Sequence, residues 1–347
     1  METPKRITSQ DVAKRAGVSR TTVSLVLNNK HQSSQISDKT VQKVLRSAHE
    51  LGYVPNAAAQ ALVRKKSGVI GLILTRAHQQ INSDLYLNQV VNGLLNVCHN
   101  NNFRVLLDVI EDDDEISTIQ RIIQGRQVDG IIFFGPRTND KTLSLLSKAN
   151  FPTVLMGALP DSNFYSVDVD NLAAAQMATE HLIKLGHQRI GCITNATPSY
   201  TAAADRLQGY KLALSKHKLL ADDRLVRFGD FDPQSGYRAM RGLLSVNPRP
   251  TGVFVASDVV AFGAISAITE AGLRIPEDIA VVGFDDVPLS AYITPHLTSV
   301  HLPIYDLAEE AGLMSIQLIN GESPEKQNLR LNTYLVVRDS CGANRNN

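Results

Sequence analysis

Apolar positions change their spacing near residue 68, and the change divides the chain into two kinds of structure. Before it, short helical periods dominate. Thr8 followed three residues later by Asp11 is a capping-box pattern, and Gly17 ends the helix it opens. Ser19 is placed to cap a second helix whose apolar face is Val23, Val26 and Leu27. Ser37 is placed to cap a third, where Val41, Val44, Leu45, Ala48 and Leu51 recur at helical spacing before Gly52. A short helix, a glycine turn and a second helix opened by serine read as a helix-turn-helix. Pro55 to Val63 then predicts a helix of about two turns, marginal by itself in water and expected to form only against something else. Arg64 to Gly68 reads as a charged linker.

From Val69 onward, apolar runs alternate with amphipathic stretches. The runs are Val69–Leu74, Val105–Leu107, Gly130–Phe134, Thr153–Met156, Ile190–Thr194, Val253–Ala256 and Ile279–Phe284. The helical stretches include Leu87–Asn100, Ala173–Leu185, Asp205–Lys216 and Val259–Ala271. Such alternation predicts an α/β body of doubly wound parallel sheets with helices on both faces. There are too many units for one small sheet. Tyr165–Asp170 suits a crossover into a second lobe, and Thr298–Pro303 a return.

Charge sharpens the division. The first 66 residues hold 12 Lys and Arg against 4 Asp and Glu, whereas the rest hold 23 against 30. A net charge of +1 thus conceals a basic small domain on an acidic large one, as expected of a DNA reader controlled by something else. Cys98, Cys192 and Cys341 are too few and too far apart for a disulfide scaffold or metal cluster, and point to a reduced cytoplasm. Neither a secretory leader nor a run of the ~20 apolar residues that span a bilayer is found, so no membrane association is expected.

Three stretches carry a resemblance: Asp11-Val12-Ala13 through Val26-Leu27-Asn28, Leu51-Gly52-Tyr53-Val54-Pro55-Asn56, and Val282-Gly283-Phe284-Asp285-Asp286. A fourth runs from His181-Leu182 to His187 and Arg189-Ile190. In this order they resemble the lac repressor/galactose repressor (LacI/GalR) family of bacterial regulators, from about Ile7 to Cys341. The resemblance implies a helix-turn-helix headpiece, a hinge helix and a two-lobed body similar to periplasmic sugar-binding proteins. It also implies a dimeric transcription factor, usually a repressor, that binds pseudo-palindromic operator DNA and is switched by a small molecule. The expected domains are 1–54 (headpiece), 55–67 (hinge helix and linker) and 68–347 (effector binding and dimerisation). Within the last, lobe 1 is expected at about 68–166 and 303–328, and lobe 2 at about 167–297 and 329–341.

A recognition helix must offer short donors, acceptors and methyl groups to the major groove, with cations near phosphates. By resemblance the DNA contacts are Thr8, Ser19, Arg20, Thr21, Thr22, Leu25 and Asn28, with Asn56, Ala59 and Leu62 in the hinge. Arg20 is the candidate for bidentate contact with a guanine; Ser19, Thr22 and Thr8 look like phosphate-positioning residues. Leu25 departs from the family, where many relatives carry arginine, so a different half-site is expected. The alternative is that Leu25 merely covers the headpiece core. Leu62 matches the leucine that relatives wedge into the minor groove to bend the operator. Its alternative is packing on its own domain.

Matching the body residue by residue places the effector between the lobes, near strand carboxyl ends. The candidates are Tyr86, Leu87, Phe134, Gly157, Arg206, Ser257, Asp285 and Leu302. Arg206 and Asp285 supply the donor fork and acceptor that polyhydroxyl ligands require. Leu302, Phe134 and Gly157 depart from polar positions of sugar binders, which implies a more apolar or longer pocket. A carbohydrate effector, an oligosaccharide or glycoside, is therefore expected, with a purine as the competitor. An Arg–Asp pair can also be a mere surface ion pair, and Asp258 reads as a helix cap rather than a ligand contact.

Other classes fit less well. No G-x-G-x-x-G follows the first strand and no Walker-type lysine is present, so no enzymatic activity and no cofactor are expected. A sugar-binding receptor without a regulatory role would share the body but not the basic headpiece. The tail from Val337 to Asn347 has no heptad pattern, so a homodimer rather than a tetramer is expected.

Overall fold

The structure, a computed structural model, describes residues 7–28, 35–54, 66–75, 81, 84–110, 115–138 and 140–343. It divides into two units, Met1–Gly68 and Val69–Asn347.

In the first unit, three helices form where capping chemistry predicts them: α1 (Ser9–Ala16), α2 (Arg20–Leu27) and α3 (Asp38–Glu50). Thr8 and Asp11 complete a reciprocal capping box, and Gly17 ends α1 with φ 61°. The Ser19 and Ser37 hydroxyls accept from the amides of Thr22 and Thr40. Each cap satisfies an amide that the first helical turn leaves without a partner, and is worth about 1 kcal/mol. The core joins Val12, Ala13 and Ala16 to Val23 and Val26, and to Val41, Val44 and Ala48. Leu45 lies outside it, 43% exposed, so the apolar face of α3 is narrower than its sequence suggests.

The second unit holds two six-stranded sheets. The first is built from β1 (Val69–Leu74), β2 (Arg104–Val109), β3 (Gly130–Phe134), β4 (Thr153–Met156), β5 (Tyr165–Val169) and β11 (Asn328–Leu331). Its order is β11-β5-β4-β3-β1-β2, parallel throughout. The second contains β6 (Ile190–Thr194), β7 (Val226–Phe228), β8 (Gly252–Val255), β9 (Ala280–Asp285), β10 (Thr298–His301) and β12 (Tyr334–Val336). Its order is β12-β10-β9-β8-β6-β7, and only β10 with β12 is antiparallel. Strands such as β3 and β8 are buried at every position, as expected for sheets covered on both faces.

Helices connect the strands. The first lobe has α4 (Leu85–Asn100), α5 (Glu115–Gln124), α6 (Lys141–Lys148) and α11 (Ile304–Ile319). The second has α7 (Asn171–Lys184), α8 (Thr201–Lys216), α9 (Pro233–Leu244) and α10 (Asp258–Glu270). The chain passes between lobes after β5, after β10 and after β11. Two boundaries fall later than the expected 166 and 328, because β5 and β11 pair with each other through Val169 and Leu331. Tyr165–Asp170, read as a crossover, is mostly strand.

Candidate functional site

The site in the second unit is a cleft of about 790 Å³, counting the solvent at its open mouth, and it is lined from both lobes. Its fixed point is Arg206 on α8. The α8 backbone lies against α7 because Gly209 has no Cβ; one there would collide with the Leu172 carbonyl. That approach sets Arg206 beside Asn171. Arg206 Nε donates to Asn171 Oδ1 at 2.9 Å and Nη1 to the Ala256 carbonyl at 2.7 Å. The guanidinium lies 3.9 Å from the centroid of the Phe284 ring, and Nη1 is 3.6 Å from Asp285 Oδ1. Both side chains are buried, so the pair is not a surface ion pair.

Asp285 ends β9 with φ 112°, a strained conformation for a residue bearing a Cβ. Burial, reinforced by the nearby charge of Asp258, pushes its carboxyl up to about 8, against the pull of Arg206 and the Ser257 hydroxyl. Asp258 differs from its expected role as a cap. It opens α10 but is fully buried, accepting from the amide of Val287 and the hydroxyls of Ser290 and Ser299. Those donors lie on the neighbouring loop and strand, where three bonds reward the carboxylate more than one helix amide would.

The expected residues converge, with one exception. Tyr86, Phe134, Gly157, Arg206, Ser257, Asp285 and Leu302 all line the cleft. Tyr86 and Phe134 form a tilted aromatic pair with centroids 5.5 Å apart. Gly157 has φ 112°, and a Cβ there would strike the Pro136 ring, so glycine is a backbone requirement rather than a lost polar contact. Leu87 is the exception. It follows Asp84, which caps α4, and the helix turns it into the core of the first lobe, 4% exposed.

Several lining residues were not singled out from sequence: Asp84, Asp168, Asn171, Asn195, Tyr200 and Phe231. Asp168 accepts from the amides of Ala158 and Val169 and from Asn171 Nδ2, while burial pushes it up to about 6. Asn195 is buried and, among the described residues, its Oδ1 has no partner. Asp168 and Asn195 sit at strand carboxyl ends, the position rule that could have found them. Nothing local in the sequence marks Tyr200 or Phe231.

In the first unit, Ser19, Arg20 and Thr21 are exposed at the start of α2, while Thr22, Leu25 and Asn28 are half-buried. Helical spacing puts Thr21, Leu25 and Asn28 on one face, away from buried Val23 and Val26. Leu25 is not among the side chains packed on the headpiece core. Arg20 Nε donates to Ser9 Oγ at 3.1 Å, and Asn28 Nδ2 to the Ser24 carbonyl. Thr8 is exposed and engaged with Asp11. Asn56, Ala59 and Leu62 lie outside the described residues. Among the described residues no helix is long and apolar enough to cross a membrane.

A capped helix-turn-helix and a two-lobed α/β body whose cleft mixes buried charged groups with aromatic and aliphatic walls define a ligand-responsive DNA-binding regulator. Residues 8–56 match the family described as bacterial regulatory proteins, lacI family, and residues 179–341 match the periplasmic binding protein-like domain. The chain is 35% identical to the HTH-type transcriptional regulator CelR of Thermobifida fusca, over 98% of this chain and all of CelR. It is 31% identical to the HTH-type transcriptional repressor PurR of Aliivibrio salmonicida (strain LFI1238), over 96% of this chain and 98% of that one. A solved CelR–cellobiose complex superposes with TM-score 0.74 at 33% identity, over 96% of this chain and 100% of that one. The lac repressor dimer bound to operator and the anti-inducer ONPF gives TM-score 0.83 at 30% identity, over 97% and 99%. The chain belongs to the LacI family of bacterial transcriptional regulators.

Proposed function

We propose that this regulator represses transcription as a homodimer on a pseudo-palindromic operator, and that a carbohydrate in the cleft between the lobes switches its affinity for DNA. The observation that carries the effector reading is the buried Arg206–Asp285 pair facing the same cleft as the Tyr86–Phe134 aromatic pair. Sugars present hydroxyl edges and apolar ring faces, and this cleft offers a partner for each. Leu302 and Met156 extend the apolar wall, which suits a glycoside or short oligosaccharide better than a free monosaccharide. The cellobiose held by CelR supports the same ligand class.

The cleft is read as a binding site rather than a catalytic one. Arg206 is held by bonds to Asn171 and the Ala256 carbonyl, an arrangement for recognition. On the DNA side, the proposal gives Arg20 and Thr21 base contacts, Thr8, Ser19 and Thr22 phosphate contacts, and Leu25 an apolar contact. Asn28 joins that face, and Asn56, Ala59 and Leu62 act from the hinge. Such a protein would work in the cytoplasm, where its DNA is.

Calorimetry with sugar and purine panels, on wild type and Asp285→Ala, tests the effector reading. It predicts sugar binding that Asp285→Ala abolishes. Purine binding without a sugar response would reject the carbohydrate, and sugar binding unaffected by the substitution would reject the site.

A further inference from the structure

The three crossovers join the lobes along one side of the cleft, at the β11-β5 and β12-β10 ends of the two sheets. A second connection, made without any crossing of the chain, lies farther along both sheets, between β3 and β1 of one lobe and β6 of the other. Residues 136–138, which follow β3, run beside residues 199–201, which follow β6. Arg137 and Tyr200 form an isolated antiparallel bridge. The Thr138 amide donates to the Ser199 carbonyl at 2.8 Å, and the Thr201 amide and hydroxyl donate to the Pro136 carbonyl at 3.2 and 3.3 Å. Tyr200 reaches furthest: its hydroxyl donates to the Thr75 carbonyl, just beyond β1, at 2.7 Å. Its ring packs edge-on to Phe231, with centroids 5.0 Å apart, and the Arg137 guanidinium lies 5.8 Å from its centroid. Gly135, Pro136, Tyr200 and Thr201 also line the cleft, so this strap is part of its wall.

We infer that the strap is a latch that holds the lobes closed over the effector, and that Tyr200 is the positioning residue that bolts it. Two lobes hinged on one side open by rotation about the crossovers, and bonds on the opposite side resist that motion with the greatest leverage. Thr138, Thr201 and Tyr200 all donate across the cleft, so parting the lobes breaks their bonds together. Loss of one bond lowers the ratio of closed to open molecules by about fivefold. The latch deepens the effector reading and rests on it only for the identity of what is enclosed.

Hydrogen exchange on the full-length protein tests the latch without a ligand. Tyr200→Phe keeps the ring and removes the bond to Thr75. It is expected to speed exchange of the Thr138 and Thr201 amides together, by about fivefold, while amides of β3 and β6 stay protected. Faster exchange confined to residues 197–201, with Thr138 unchanged, would reduce Tyr200 to a local packing residue and overturn the latch. Unchanged exchange at both amides would overturn it equally. A second arm adds cellobiose. Further protection of both amides in wild type, with faster sugar dissociation from Tyr200→Phe, is expected. If cellobiose protects nothing while Tyr200→Phe still releases both amides, the latch stands and the effector reading fails for that sugar.

Discussion

In the proposed function, Asp285 is the residue on which the chemistry of the cleft turns. Its carboxyl, raised to about 8, holds a proton near neutrality although Arg206 is close by. Hydroxyls donating to it favour the ionised form, so ligand binding should release a proton below about pH 8 and tighten as pH rises towards it. Calorimetry in buffers of different ionisation enthalpy checks this, and proton uptake would count against it. The same shift has a sign for stability. The folded state keeps a proton that the unfolded chain loses near pH 4, so this contribution falls as pH rises from about 4 towards 8. Arg206→Ala leaves the acceptors of Asn171 and Ala256 without their donor, while Asp285 can remain protonated. The expected loss is about 2–6 kcal/mol, from two buried acceptors at about 1–3 each, read by denaturant unfolding.

At the scale of elements, α2 is set by Ser19 at its start and by a face that turns Val23 and Val26 inward. The opposite face, with Thr21 and Leu25, is the one that the proposed function gives to DNA. Arg20→Ala should weaken specific binding by about 1–3 kcal/mol and relax preference at one base pair, which selection from a randomised half-site library would detect. Equal losses on all sequences would make Arg20 a phosphate contact instead. The helices of the headpiece were legible because caps, glycine turns and helical spacing are local signals. So were the central strands with unbroken apolar runs, but not the interior strands β5 and β10, whose polar residues made Tyr165–Asp170 and Thr298–Pro303 read as a crossover and a return. The edge strands β7, β11 and β12 were not: they are short and only half-buried, and β12 is fixed by pairing with β10, far away in sequence. Arg206 and Asp285 could be matched to a family pattern, whereas Leu87 could not be separated from Tyr86 without knowing the phase of α4. Tyr200 and Phe231 enter the cleft from loops, whose course local sequence does not specify.

At the scale of the whole molecule, a basic headpiece and an acidic body divide the labour: one is drawn to DNA, the other is kept off it. Affinity for bulk DNA should therefore fall steeply with salt, and a chain lacking the headpiece should lose it. Sedimentation should show a dimer in the absence of DNA, and a monomer would contradict the proposed homodimer. The central claim is that occupancy of the cleft changes affinity for the operator, and linkage requires the converse as well. The most direct measurement is fluorescence anisotropy of full-length protein on a duplex selected for tight binding, at fixed salt, as sugars from the panel are titrated in. The account predicts that at least one sugar shifts operator affinity in wild type, by a factor on the order of 5–150, and leaves Asp285→Ala unmoved. An operator affinity indifferent to every sugar, or one that shifts equally in Asp285→Ala, would contradict it.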